Sequence, residues 1–183
     1  MTMFRSAFFA FLSCATVASA QMAVHAVTGM VKAVSPHSIS VATDSDTTSK
    51  FAIAPSTQSL AFPGELRAGT TVAEKFQKTG DYVVVYYTGF DDQRTVVAVK
   101  DLGPGPFTKL EGTITAYDKR TRTLTLKDDA DKQVTLACGD GLVVDEDNGV
   151  ESGRKFEPHK GERIRVTYGA GTPPTIAFLH EAL

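Results

Sequence analysis

The chain has 183 residues, with 19 Lys or Arg against 21 Asp or Glu, which gives a formal net charge of −2. This balance argues against nucleic acid and anionic membrane surfaces as partners, because both attract proteins through a basic field. Tryptophan, the residue most favoured in cation–π contacts, is absent from the chain.

The N-terminus, residues 1–20, is predicted to be a secretory signal peptide. One positive charge precedes a short apolar run, and Ala18-Ser19-Ala20 supplies the small residues for cleavage after Ala20. The run is shorter than the about twenty residues that a membrane-spanning helix needs, so we expect no membrane span. Phe11 and Leu12 match a lipobox poorly, which argues against lipid anchoring at Cys14. The expected location is periplasmic or secreted.

Alternation of apolar and polar residues predicts five strands in the first half, at residues 27–34, 38–43, 50–54, 82–88 and 95–100. Residues 55–78 interrupt the alternation with Ser, Pro, Gly and Thr, which predicts a long irregular excursion with a helical turn at 73–77. Gly103-Pro104-Gly105-Pro106 predicts a linker at residues 103–108, because proline fixes φ and glycine disfavours regular structure. The expected domains are therefore residues 21–102 and 109–183.

The second half repeats the order of features seen in the first. In the hairpin at residues 111–127, Gly112 and Ile114 correspond to Gly29 and Val31, although the turn is longer. Residues 139–159 form a second predicted excursion. Both excursions end with similar residue pairs: Lys75-Phe76 precedes Gly80-Asp81, and Lys155-Phe156 precedes Gly161-Glu162. Residues 97–99 are then matched with residues 176–178. We infer an internal duplication of a unit of about 75 residues.

Five short strands with one apolar face would expose edges as an open sheet, and about 75 residues are too few for a two-sheet sandwich. We therefore predict an all-β fold of two tandem five-stranded OB-like barrels, with a long connection between the third and fourth strands of each. Gly29 and Gly112 suit the strong bend of the first strand in such a barrel. The alternative is a single larger barrel or sandwich formed by all ten strands.

Two pairs of stretches carry a family resemblance: T-G-M-V-K-A-V-S-P-H-S-I-S-V (28–41) with K-T-G-D-Y-V-V-V (78–85), and E-G-T-I-T-A-Y-D (111–118) with H-K-G-E-R-I-R-V (159–166). The order of strand-like segments and turn residues resembles that of small OB-like periplasmic barrels typified by the CusF copper chaperone. It also resembles that of exported bacterial domains of unknown function. The resemblance implies a fold and an exported location. In the chaperones, a Met-x-Met pair with a His and a Trp holds Cu(I), which prefers soft ligands. Thr47, Ser49 and Ala42 occupy the matching positions here, so the copper ligands are not matched.

Tyr82, Tyr86 and Phe90 are the predicted ligand-binding residues. Barrels of this type stack sugars or bases on aromatic faces. Alternation places Tyr82 and Tyr86 on one face with Val84, opposite Tyr87, so part of the aromatic set must belong to the core.

Asp145, Asp147 and Glu151, here called the acidic cluster, are the predicted metal ligands. Calcium takes six to eight oxygen ligands, and a D-x-D-x-G-x-E loop supplies some of them. Gly149 stands one position earlier than in an EF-hand loop, and the alternative interpretation is an ordinary solvated acidic loop.

Cys138 is the only cysteine left after cleavage, so no internal disulfide can form in the exported chain. We interpret it as a small buried hydrophobe, and the alternatives are a reactive thiol, a metal ligand or an intermolecular disulfide. None of the four histidines has metal-helix spacing, which indicates surface residues. A soft-metal site, if present, would use Met22, His25 and Met30.

The sequence contains no P-loop, dinucleotide fingerprint, nucleophile elbow or zinc-protease motif. We therefore expect no enzymatic activity and no cofactor. The predicted function is an exported binding or interaction module, whose protein, peptide or carbohydrate ligand contacts the loops and excursions. The alternative is a periplasmic metal-handling accessory protein.

Overall fold

The computed structural model describes residues 23–53 and 62–181, and these residues form an all-β structure without α-helices. The predicted signal peptide, including Cys14, lies outside the described residues. The strands are β1 (His25–Ser35), β2 (Ser38–Thr43), β3 (Thr48–Ala52), β4 (Thr70–Thr71), β5 (Tyr82–Thr88), β6 (Thr95–Gly103), β7 (Thr108–Asp118), β8 (Thr123–Lys127), β9 (Gln133–Glu146), β10 (Gly149–Ser152), β11 (Arg163–Gly169) and β12 (Thr175–Glu181). Short 3₁₀ turns occur at Gly64–Leu66, Ala73–Lys75 and Asp91–Gln93.

The strands form two sheets, so the alternative of one barrel made from all the strands is excluded. The C-terminal sheet has the order β10-β9-β12-β11-β7-β8, and β8 also pairs along its length with β9, which closes five strands into a barrel. The N-terminal sheet has the order β3-β2-β1-β5-β6-β4, and its ends meet through a single residue pair between Ala52 and Thr95.

The two sheets use the same strand order when β1, β2, β3, β5 and β6 are aligned with β7, β8, β9, β11 and β12. In both, the third strand of the unit runs parallel to the last, whereas the other neighbouring strands are antiparallel. Both first strands also carry a register shift at the same place, after Val31 in β1 and after Ile114 in β7. Such bulges increase the local coiling that a small barrel needs.

Gly29 and Gly112 occupy equivalent positions where the first strand crosses its neighbour. Gly29 faces the backbone of Ala42 and Thr43 so closely that a Cβ would overlap it, and a Cβ at Gly112 would lie 2.6 Å from the Lys127 carbonyl oxygen. A side chain at either position would therefore push the two strands apart.

Each sheet encloses its own apolar core. In the C-terminal barrel the inward residues of successive strands include Ile114, Leu124 and Leu126, all at most 1% exposed. Val31, Ile39, Val41 and Phe51 serve the same role in the N-terminal sheet. The period-two alternation that predicted these strands is the alternation of core and outer face.

A third apolar core, here called the inter-sheet core, joins the two halves. The N-terminal half contributes Val84, Tyr86 and Phe62, and the C-terminal half contributes Val143 and Phe178. Polar contacts reinforce the junction: the Val150 amide donates to the Val24 carbonyl at 2.7 Å, and the Lys100 ammonium donates to the Gly141 carbonyl at 2.7 Å.

Two details of the predicted repeat differ from the structure. Residues 139–152, predicted to be irregular, extend β9 and form a hairpin with β10. In β9, Val143 faces the inter-sheet core while Val144 faces the barrel core, so the strand is buried on both faces and shows no alternation. The strand register also corrects the predicted match of residues 97–99 with 176–178. Val85 pairs with Val99, and the equivalent Val166 pairs with Leu179. Residues 96–99 therefore align with 176–179, and the predicted match was shifted by one residue.

Candidate ligand-binding groove

A groove of about 500 Å³ lies on the C-terminal barrel between two connections. The β7–β8 turn supplies one wall with Tyr117, Lys119 and Arg122, and the segment after β10 supplies the other, from Arg154 to His159. Four of these side chains are Lys or Arg and one, Glu157, is acidic. The groove is therefore cationic, although the chain as a whole has a formal net charge of −2.

Local hydrogen bonds shape the β7–β8 wall. The Asp118 carboxylate accepts from the Arg120 amide at 2.8 Å and from the Thr121 amide at 3.2 Å, which folds the turn back on itself. Hydrogen bonds from Thr121 and then from Arg120 lower the pKa of the exposed Asp118 carboxyl. The turn ends at Arg122, whose φ of 51° is left-handed, and this conformation directs the chain back into β8.

Two of the four cations connect the walls. Arg122 donates through Nη1 to Asp140 at 2.9 Å and through Nη2 to the Gly153 carbonyl at 3.1 Å. Lys119 lies 3.4 Å from the Glu157 carboxylate. These contacts hold the two connections in place, and they leave Arg122 and Lys119 partly neutralised.

The remaining two cations, Arg154 and Lys155, are exposed and pair with no acidic side chain in the described part of the chain. Their neighbour Phe156 is buried and packs in the barrel core, and Tyr117 packs partly buried against the same core. The chain segment is thus anchored by Phe156 while the two charges project beside an aromatic residue. An anionic ligand would gain charge-assisted hydrogen bonds here without first breaking an ion pair.

The N-terminal half does not repeat this charge pattern. Lys75-Phe76 matches Lys155-Phe156, but Glu74 stands where the second half has Arg154, and the shorter turn at Pro36-His37 replaces the basic one. The cationic groove is therefore a property of the second unit.

The three predicted aromatic ligand residues are not brought together on one surface. Tyr86 is fully buried in the inter-sheet core, where its ring meets Phe62 edge to face at 4.7 Å. Tyr82 is half-buried, and its ring centroid lies 5.1 Å from that of Phe107. The Tyr82 hydroxyl donates to the Asp44 carboxylate at 3.3 Å. Phe90 is 78% exposed at the end of β5.

The acidic cluster is divided by the β9–β10 hairpin. Asp145 pairs with Val150 and Val144 pairs with Glu151, so Asp145 and Glu151 point to opposite faces of the ribbon. Asp145 is 3% exposed and faces the N-terminal half, whereas Asp147 lies in the turn. Among residues 23–53 and 62–181, no group of three or more His, Cys, Asp or Glu side chains is placed to hold a metal ion.

Cys138 is buried at 5% exposure in the barrel core, and burial raises the pKa of its thiol. Of the histidines, His37 and His159 are exposed, whereas His25 and His180 flank Asp145 at the junction of the halves. Met22 lies outside the described residues, so the Met22, His25 and Met30 set cannot be placed as a whole. Within the described ranges, no helix has the length and apolarity required to cross a bilayer.

The groove was not among the sites predicted from the sequence. The sequence contains two basic segments that contribute to it, K-R-T-R in the β7–β8 turn and R-K-F after β10. They are about thirty residues apart, and only the fold brings them face to face. Comparison of the chain with protein-family models and with curated proteins finds no match.

Proposed function

We propose that the protein is an exported, non-enzymatic binding module and that the cationic groove holds an acidic carbohydrate. The observation that carries the proposal is the exposure of Arg154 and Lys155 in a concave site without an acidic partner among the described residues. Lys and Arg side chains recognise carboxylate and sulfate groups, and the adjacent Tyr117 ring offers a face for a sugar ring.

The proposal includes two tandem OB-like barrels derived by duplication. Support comes from the shared strand order, the parallel pairing of the third and last strands, and the equivalent glycines Gly29 and Gly112. OB-type barrels bind oligosaccharides and oligonucleotides with their strand faces and the loops beside them. The β7–β8 turn is the equivalent of the loop between the first two strands of such a barrel.

Binding at exposed cations is expected to be salt-dependent. Side chains as open as Arg154 and Lys155 are screened by ions, because the Debye length is about 8 Å at physiological ionic strength. We therefore expect modest affinity at physiological salt and tighter binding at low salt.

The test is calorimetric titration of the full secreted chain with an oligogalacturonate, at low and physiological salt. A neutral oligosaccharide of equal length is the ligand control, and an acidic peptide of similar charge is the second arm. The double substitution R154E and K155E reverses both charges, while K132E changes an exposed lysine outside the groove. Binding of the acidic sugar that is lost in the double variant and kept in K132E supports the proposal. Equal binding of the neutral sugar, stronger binding of the peptide, or retention in the double variant would overturn it.

A further inference from the structure

A second cavity, of about 200 Å³, lies at the junction of the two halves and is lined from both sides. Thr28, Asp44 and Arg94 come from the N-terminal half, and Asp145 and His180 come from the C-terminal half. Junctions between structural units are common positions for small-molecule sites. This cavity shares no residue with the cationic groove.

One carboxylate of the cavity, Asp44, helps to hold the halves together. It is 8% exposed, and its Oδ2 accepts hydrogen bonds from the Thr28 hydroxyl at 2.5 Å and from the Thr167 hydroxyl across the junction, while its Oδ1 accepts from the Tyr82 hydroxyl at 3.3 Å. Because these bonds link residues of both halves, we assign Asp44 a structural role.

The other carboxylate, Asp145, has capacity to spare. Its Oδ1 accepts from the Ala26 amide at 3.1 Å and lies 3.2 Å from His25 Nδ1. Its Oδ2 lies 3.3 Å from His180 Nδ1, but the two atoms are not aligned for a hydrogen bond, and the buried Nδ1 has no hydrogen-bond partner in the described structure. A buried polar atom without a partner costs free energy, so a ligand donor or acceptor placed here would be favourable.

A cation without an acidic partner completes the lining. The Arg94 guanidinium stacks 5.2 Å from the Phe51 ring centroid and 5.9 Å from that of Tyr87, and its Nε donates to the Asp91 carbonyl at 2.8 Å. Its terminal nitrogens pair with no carboxylate among the described residues. Burial raises the pKa of the Tyr87 hydroxyl, the Asp145 charge raises it further and Arg94 lowers it, which places the phenol under the influence of both charges.

We propose that this cavity binds a small zwitterion of the α-amino-acid class, with its ammonium group at Asp145 Oδ2 and its carboxylate at the Arg94 guanidinium. Both ends of such a ligand find an opposite charge, and Ser and Thr side chains, among them Thr28, Thr47 and Ser49, line the same cavity. The cavity volume of about 200 Å³ suits a single amino acid. This site is independent of the cationic groove and can be tested separately.

The experiment measures the melting temperature and binding heat of the full secreted chain with a panel of free amino acids. The same compounds are tested with the amine acetylated and with the carboxyl converted to an amide. Ligand binding to the native state raises the melting temperature by mass action. We expect a rise for at least one free amino acid and none for its two blocked forms.

The variant R94Q keeps hydrogen-bonding capacity and removes the charge, and R67Q is the matched control at an exposed arginine. R94Q should weaken binding about tenfold to a hundredfold, as loss of a charge-assisted hydrogen bond implies, while R67Q and the R154E and K155E double variant should bind as the unmodified chain does. The inference is overturned if no free amino acid shifts the melting temperature, if blocked forms shift it equally, or if R94Q binds normally.

Discussion

Replacement of Gly29 by alanine tests whether the first strand is bent as tightly as the structure indicates. A Cβ at this position would overlap the Ala42 carbonyl oxygen and lie 2.7 Å from the Thr43 Cα, and both are backbone atoms that cannot rotate away. Overpacking typically costs about 1–3 kcal/mol, and because the contact is with backbone in a paired strand, we expect G29A to cost about 3 kcal/mol. With a urea m-value of roughly 2 kcal/mol/M, the unfolding midpoint should fall by about 1.5 M.

The matched control is G64A. Gly64 has no atom within 4 Å of the added Cβ and does not have a positive φ, so alanine should leave the midpoint unchanged or raise it slightly through a smaller unfolded-state entropy. Urea unfolding followed by far-UV circular dichroism measures both variants. G112A, with its Cβ 2.6 Å from a backbone oxygen, should resemble G29A. Identical midpoints for G29A and G64A would refute the close approach of the two strands.

Three further predictions follow from individual side chains. Hydrogen bonds from Arg165 and then Arg163 lower the pKa of Glu111, so the ionised Glu111 stabilises the folded state above its unfolded pKa, and this contribution is lost as pH falls. The variant E111Q should therefore lose less stability than the unmodified chain below about pH 4. An acid-unfolding curve that is the same for both proteins would contradict this. The buried Cys138 thiol, with its raised pKa, should resist Ellman's reagent until urea unfolds the chain, and rapid labelling of the native state would show it to be accessible. Because the hairpin divides the acidic cluster, Ca²⁺, Zn²⁺ and Cu(I) should not raise the melting temperature, and a clear rise with any of them would revive the metal-handling hypothesis.

β2, which has one core face and one polar face, begins and ends where the alternation predicted, and Gly29 with Gly112 marked the bend of both first strands. β5 also has the predicted bounds although it is buried on both faces, because Gly80-Asp81 and Phe90-Asp91 supply turn signals on either side of it. The prediction failed in β9, which is also buried on both faces. Val143 and Val144 give β9 a continuous apolar run instead of an alternating one, and the acidic residues beyond it suggested a loop.

The candidate site was less accessible to sequence reasoning, for a different physical reason. Aromatic residues on a strand suggested a binding face, but Tyr86 is buried in a core to which both halves contribute. Arg154 and Arg122 lie far apart in the chain, and their common groove depends on the fold of the intervening β9–β10 hairpin. Sequence patterns within a single segment do not show which distant segments lie side by side in the fold.

The inter-sheet core bears on whether either half of the protein can exist alone. Val84 and Tyr86 are 0% exposed in a core that Val143 and Phe178 of the other half help to build. Either half alone would present that apolar surface to water, and exposed patches of this kind promote aggregation. Although the halves share one strand order, we expect neither to be soluble as a free-standing module, so a truncation between residues 103 and 108 should yield halves that aggregate.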